Sequence, residues 1–354
     1  MQLTPATKRK LTSFAIALLG PSLACGVYPF LFVVPYGHMW HAHVNGLIIG
    51  ILLGIAVSFG ELYLFKTRIR RLRFSLFIIC QTLFYVAAIN ASLFGVVTVH
   101  RILAHNSTLA FETSSASLAA YFGSDEFLTV NLYTLVLVFA VGFLRVVNRM
   151  LGQNALFLFL TGKYHRPVEE ERVFMFLDIK ASTTIAEKIG HTRYHAFLND
   201  FFYDITPAII ESKGEIYRYV GDEVIVTWPR DRGLRDANCI HCYFRIAKTI
   251  AGISAQYEKN YGFTPGFRAG FHIGMVTSGL IGDIKRDVAF NGDTVNTTAR
   301  IRSECTTAGR DLLFSGDLLN RLQASDLPAL ENIGRIKLRG KEEEIELYSV
   351  KDAA

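Results

Sequence analysis

Charge is scarce in this chain: of its 354 residues only 19% are Asp, Glu, Lys or Arg, against 51% hydrophobic. That scarcity excludes an ordinary soluble protein. Cysteine is nearly as thin. Cys25 and Cys80 lie inside apolar runs, and Cys239, Cys242 and Cys305 lie in the more polar remainder. Five cysteines so placed exclude a disulfide framework and fit a reducing compartment for the polar half. The one CxxC, Cys239–Cys242, has no second pair to complete a zinc site, and its spacing suits one face of a helix. The net charge of +6 does not point to nucleic acid, because many basic residues flank apolar runs, where they mark the cytoplasmic face of a membrane. No nucleic-acid partner is expected.

What is present divides in two. Charges concentrate after Leu151, so an apolar half precedes a polar one, and the length suits about two domains. Four apolar runs, 11–35, 44–66, 74–99 and 127–149, each approach or exceed the roughly 20 residues that cross a bilayer as helix. The stretch LIIGILLGIAVSFG at 47–60 has almost no polar face, which a buried soluble bundle would require. Residues 1–150 therefore read as a four-helix transmembrane domain in a lipid bilayer. Lys8, Arg9 and Lys10 precede the first run and KTRIRRLR (66–73) follows the second, while the loop at 36–43 has no Lys or Arg. The charge bias puts the N-terminus and, after four crossings, everything beyond Leu151 in the cytoplasm. This predicts a multi-pass cell (inner) membrane protein. A cleaved signal peptide ending at Cys25 is the rival, weakened by Pro21 and by hydrophobicity that continues past Cys25.

This topology gathers histidines. His38, His41 and His43 fall in the first outer loop, and His100 and His105 fall where the third span emerges. Imidazole is the commonest transition-metal ligand, so the five admit a haem or copper/zinc sensor site. They equally admit interfacial histidines in contact with headgroups and water.

Residues 151–171 read as a helical linker that ends near Pro167, with Glu169 to Glu171 as a solvated step. The periodicity then changes, and 172–354 reads as a separate catalytic domain. VFMFLD (173–178) predicts a strand, the following amphipathic stretch a helix that stops at Lys213-Gly214, and EIYRYV and DEVIVTW a hairpin around Gly221-Asp222. A helix is expected over 234–258, strands over 267–276 and 278–283, a helix over 294–302, and a closing hairpin from IGRIKLRG and IELYSV. The sum is an α+β, ferredoxin-like domain with helices on one face of an antiparallel-rich sheet.

Asp178 ends the first strand and Asp222 sits in the hairpin turn, so adjacent central strands would bring both carboxylates to one edge. Two carboxylates plus substrate phosphates suffice for magnesium. Asn296 and Arg300 stand four apart on one helix and face the same way. Arginine suits a phosphate that gains charge in a transition state.

FLDIKASTT (176–184), KGEIYRYVGDE (213–223), FRAGFHIGMVTSGLIGD (267–283), NGDTVNTTARI (291–301) and IKLRGKEEEIELYSV (336–350) together resemble the catalytic domain of class III adenylyl/guanylyl cyclases over about 172–350. The resemblance implies that Asp178, Asp222 and the backbone carbonyl of Ile179 bind two Mg2+ or Mn2+ ions per site. It implies that Asn296 orients the ribose, that Arg300 stabilises the pentavalent phosphorus, and that Lys341 reaches the terminal phosphates. In this family the 3′-hydroxyl attacks the α-phosphorus and pyrophosphate leaves, at a head-to-tail dimer interface. A chain with both residue sets implies a homodimer with two equivalent sites. The positions that select the purine are Arg218 and Ala289, which depart from the family's usual residues. ATP is the expected substrate, with GTP as the alternative, and a nucleotide-binding module without turnover as a reading of a different class.

Overall fold

A computed structural model of the chain describes residues 39–60, 74–105, most of 123–143, 162–284, 286–322, 327 and 329–350. It divides into two units, Met1–Val147 and Asn148–Ala354.

In the first unit, α1 (Met39–Phe59) and α2 (Phe74–His105) overlap the second and third expected spans with shifted ends. Helix α1 begins at Met39, so His41 and His43 are helical positions and not loop ones. Helix α2 runs past 99 to include His100 and His105. His38 and the first predicted span lie outside the described residues. The two helices meet through Leu53, Tyr85 and Ile89, packed by Ile49, Phe84, Ala88 and Leu93. Their other faces are also apolar: Leu47, Ile51, Leu52 and Ile55 on α1 and Leu76, Ile79 and Leu83 on α2 are 40% to 64% exposed. Polar side chains in these helices bond within the unit. Ser58 and Ser92 donate to the carbonyls of Gly54 and Ala88 at 2.7 and 2.8 Å. The Asn90 amide donates to the Val86 carbonyl and to Asn131 Oδ1, both at 2.8 Å. Among the described residues no helix is long and apolar enough to cross a membrane.

The second unit is built on an eight-stranded mixed sheet. Strands β1 (Val168–Ile179), β2 (Glu215–Val220), β3 (Glu223–Pro229), β4 (Phe267–Ile281), β6 (Leu312–Ser315), β7 (Leu330–Lys337) and β8 (Glu344–Val350) lie in the order β2-β3-β1-β4-β6-β8-β7. Strand β5 (Asp287–Asn291) pairs with the far end of β4. Only the pairing of β4 with β6 is parallel. Strand β1 is central, and the run from Arg172 to Leu177 is fully buried because both faces are covered.

Alternation sorts that run. Val173, Met175, Leu177 and Ile179 face the main core with Phe197, Phe201, Ile205 and Ile209 of α4 (His191–Glu211) and Ile240, Ile246 and Ile250 of α6 (Asn238–Gly252). Phe174 and Phe176 point the other way, against Phe290 of β5 and Val295 and Ala299 of α8 (Asp293–Thr307). The expectation of helices on one face is therefore corrected: α4 and α6 cover one side and α8 the other. Helix α8 sits low because β4 has no side chains beneath it at Gly270 and Gly274. A β-carbon on Gly270 would stand 2.3 Å from the backbone nitrogen of Arg302, and one on Gly274 2.5 Å from Thr294 Oγ1. Such spacing admits only glycine.

Several local readings change. The stretch after Asp178 is two helices, α3 (Ser182–Ile189) and α4, hinged at Gly190 with φ 79°. The expected 234–258 helix starts at Asn238 after the short α5 (Arg230–Leu234) and breaks at Ile253 into α6 and α7 (Ser254–Tyr261). The two strands expected over 267–283 are one 15-residue strand, and β5 and β6 join the sheet unforeseen. A last short helix, α9 (Gly316–Leu319), follows β6 and is capped by the Ser315 hydroxyl. Cys239 and Cys242 are core residues of α6, their thiols pushed up to about 12 by burial.

Strand β1 also begins earlier than expected. Glu169 to Glu171 lie inside it, paired with Thr277 to Met275 of β4, and so are no solvated step of a linker. Ahead of it Tyr164 is buried, its hydroxyl donating to Glu170 Oε1 at 2.7 Å and its carbonyl accepting from Leu280 N at 3.2 Å.

Candidate active site

Arg172, Phe174, Phe176 and Asp178 occupy one face of β1, so two charged residues bracket two aromatic ones. At the first end Arg172 is 1% exposed and every arm is engaged. Its Nε donates to Thr227 Oγ1 at 3.0 Å, its Nη1 to Glu170 Oε1 at 3.2 Å and its Nη2 to Glu215, while the guanidinium lies 4.7 Å over the Phe290 ring. Glu170 also accepts from Ser278 Oγ at 2.6 Å. These donors hold its carboxyl below the usual range against the opposing effect of burial, which is the largest single influence on it.

The other end is charged but poorly satisfied. Asp178 is in register with Glu223 of β3 and Arg268 of β4, and Asp222 stands in the β2–β3 turn beside it. Burial pushes the Asp178 carboxyl up to about 7; Arg302 opposes this, and the charge of Asp222 and a hydrogen bond shared with it add to it. Burial likewise raises Glu223. Arg302 Nη1 lies 3.3 Å from Asp178 Oδ2 and its Nη2 2.7 Å from Glu223 Oε2. The second contact is a close ion pair in which Arg302 opposes the burial of Glu223, although no aligned hydrogen bond ends on Glu223 Oε2. Among the described residues the buried side-chain polar atoms so left are Glu223 Oε2, Arg268 Nε and Arg302 Nε, all at this end of the sheet. Native proteins leave few such atoms, and a cluster of them marks a place shaped for something other than stability.

The chemistry of the donors fits a hard divalent cation. Two carboxylates close enough to share a hydrogen bond, with the Ile179 carbonyl at the strand end, offer oxygen ligands only, and a cation between them would relieve the repulsion that helps raise Asp178. Among the described residues no group of three or more His, Cys, Asp or Glu forms a metal cluster by itself. Magnesium does not need one, since it keeps waters and takes substrate phosphates. The side chains of the five histidines of the first unit lie outside the described residues.

Helix α8 carries the remaining candidates around its circumference. Arg300 lies by the β7–β8 loop, its Nη2 3.5 Å from where a β-carbon on Gly340 would stand. In that loop Lys341 pairs with Asp293, whose carboxyl is lowered chiefly by this bond. Asn296 is exposed on the same helix. Two residues advance a helix by about 200°, so Arg300 and Arg302 point to opposite sides of α8, and it is Arg302 that reaches Asp178. Asp178 thus meets Asp222 and Arg302 on one side of α8, while Arg300 lies beside Gly340, the neighbour of Lys341 in the β7–β8 loop, on the other. The base-selecting candidates meet the same strand. Ala289 is 3% exposed on β5, and Arg218, over the Tyr217 ring, reaches Asp287 of β5 at 3.1 Å.

Sequence reasoning missed Glu223, Arg302 and Asp287. The hairpin turn placed Glu223 beside Asp222 in plain view. Arg302 carried no signal, because an arginine near the end of an amphipathic helix reads as solvated charge.

A family model described as the adenylate and guanylate cyclase catalytic domain matches residues 166–352. The chain is 37% identical over 223 residues to adenylate cyclase 2 of Rhizobium meliloti (strain 1021), across 63% of this chain and 61% of that relative. It is 28% identical over 183 residues to the adenylate cyclase of Anabaena cylindrica, across 50% of this chain and 36% of that one. The matched regions therefore span about three fifths or less of these curated relatives. Among solved structures, a bacterial light-regulated adenylyl cyclase superposes with a TM-score of 0.55 at 21% identity, over 65% of this chain and 67% of that one, and so shares the fold.

Proposed function

We propose, from the premise that this chain belongs to the adenylate and guanylate cyclase catalytic domain family, that it is a membrane-anchored adenylate cyclase making 3′,5′-cyclic AMP and pyrophosphate from ATP. The observation that carries the reading is the placing of Asp178, in hydrogen-bond reach of Asp222, at one side of α8, with Arg300 beside the loop of Lys341 at the other. One chain carries both residue sets, on opposite sides of α8, which argues for a homodimer of two equivalent sites. ATP over GTP is supported by the names of the two relatives above.

In this reading Asp178, Asp222 and the Ile179 carbonyl hold Mg2+ or Mn2+, which when bound supplies charge neutralisation and a more acidic attacking hydroxyl. Asn296 positions the ribose by hydrogen bonding. Arg300 meets the charge that grows on the α-phosphate, a role its fixed fork and permanent charge suit. Lys341 leaves Asp293 for the terminal phosphates and holds the leaving pyrophosphate. The purine is left to Arg218, Asp287 and backbone groups, because Ala289 offers only a buried methyl.

The first unit is read as four spans, with the N-terminus and the catalytic unit in the cytoplasm. Its support is the sequence, in which Met39–Phe59 has no Asp, Glu, Lys or Arg, and the outward apolar side chains of α1 and α2, which water would not tolerate as one continuous surface. Residues 151–167 are the connector.

Turnover of ATP and GTP by the purified chain, in Mg2+ and in Mn2+, tests reaction and base together. Cyclic AMP from ATP with little product from GTP is expected; preferred GTP turnover makes it a guanylate cyclase, and no turnover of either makes it a binding module. Mixing Asp178→Ala with Arg300→Ala chains should restore about half the activity through one intact site per mixed dimer. No recovery would remove the dimer from the reading.

A further inference from the structure

We propose that Arg302 is a built-in counter-ion of the cation site, a positioning residue that holds Asp178 and Glu223 when no metal is bound and must be displaced for a divalent cation to enter. The inference rests on the reading of Asp178 and Asp222 as cation ligands and adds a competitor to them.

Geometry sets it apart from an ordinary salt bridge. The guanidinium straddles two strands, Nη1 3.3 Å from Asp178 on β1 and Nη2 2.7 Å from Glu223 on β3. It stands where a positive charge is owed, since three carboxylates, Asp178, Asp222 and Glu223, crowd this edge. The other basic groups nearby are committed: Arg268 Nη1 donates to Thr306 Oγ1 at 2.7 Å, and Lys180 Nζ to Asp311 at 2.5 Å.

The grip is also incomplete. Arg302 Nε has no hydrogen-bond partner, and the Arg302 side chain is 28% exposed, so it has solvent to swing into. Its backbone cannot follow, being pinned against Gly270. Release is therefore a rotamer change, and the helix that carries Asn296 and Arg300 stays in place. A permanent positive charge within reach of a carboxylate ligand competes directly with a cation for it, so Arg302 lowers cation affinity and keeps the empty edge from repelling itself apart.

Mn2+ binding to the full-length chain in detergent, without nucleotide, followed by electron paramagnetic resonance, tests this. Asp178→Asn/Asp222→Asn serves as the blank. Arg302→Gln is expected to bind Mn2+ about tenfold tighter than the unaltered chain and to melt at lower temperature in chelator, with a larger rise on adding Mn2+. Arg302→Lys keeps the charge but loses the two-pronged grip and should bind about threefold tighter; it decides the matter if the Gln variant does not fold. Affinity that is unchanged or weaker in both variants overturns the counter-ion while leaving the cation site intact. Equal Mn2+ binding by the unaltered chain and the blank overturns the cation reading and the counter-ion with it.

Discussion

The two ends of one strand face carry the same chemistry to opposite effect. At Arg172 a buried guanidinium meets Glu170, Glu215, Thr227 and an aromatic face, and nothing is left over. At Asp178, six residues on, Arg302 meets two carboxylates and leaves polar atoms on both sides unanswered. A satisfied ionic network holds a fold in one state, whereas an unsatisfied one keeps charge ready for a ligand. The contrast says which arginine is architecture and which is machinery, although both are partly or wholly buried and both bridge strands.

The comparison can be broken most severely at the satisfied end. Arg172→Ala strands Glu170 and Glu215 without their cation, and a loss of about 3–5 kcal/mol is expected in chemical denaturation. A smaller loss would mean the network is no more structural than the other. At the unsatisfied end the effects should reverse: Asp178→Asn is expected to lower turnover by about 10²–10³-fold while leaving the melting temperature in chelator equal or higher.

Next in size is a pH effect confined to that end. The Asp178 carboxyl is raised from 3.8 to about 7 in the folded chain, so the folded state binds its proton more tightly than the unfolded one. Its contribution to stability is fully present below about pH 3.8 and is lost as pH rises through about 7, an effect of at most about 4 kcal/mol before solvent screening reduces it. Denaturation of the metal-free protein between pH 4 and 7 should show this slope, and the Asp178→Asn variant should lack it. Smallest is Tyr164→Phe, which removes one donor from Glu170 and should cost about 1 kcal/mol. A null result would show that the network is anchored without the residues that precede β1.

How much of this was legible depended on whether the signal was local. The meeting of Asp178 and Asp222 is legible because a strand end and a tight turn are each written in adjacent residues. Buried alternation likewise gave β1, the β2–β3 hairpin and the closing β7–β8 hairpin. Strands β5 and β6 escaped notice because five and four residues carry little periodicity, and β6 is specified by its parallel pairing with β4. The expected break at Thr277 is absent, and β4 runs unbroken from Phe267 to Ile281 because it is paired along its length, with β1 on one side and with β6 and β5 in turn on the other. Arg302 and Asp287 were illegible for a different reason: their partners lie 124 and 69 residues away, and no local pattern distinguishes them from surface charges.

The glycines beneath α8 have a consequence for how the protein tolerates change. Gly270 binds nothing and catalyses nothing, yet a single added methyl there would collide with the backbone of Arg302 and raise the whole helix. Raising it would move Arg300 relative to Lys341 on one side and Arg302 relative to Asp178 on the other. Both halves of the chemistry are thus calibrated by an atom that is missing, and a substitution as mild as glycine to alanine would detune them together while leaving every reactive group in place.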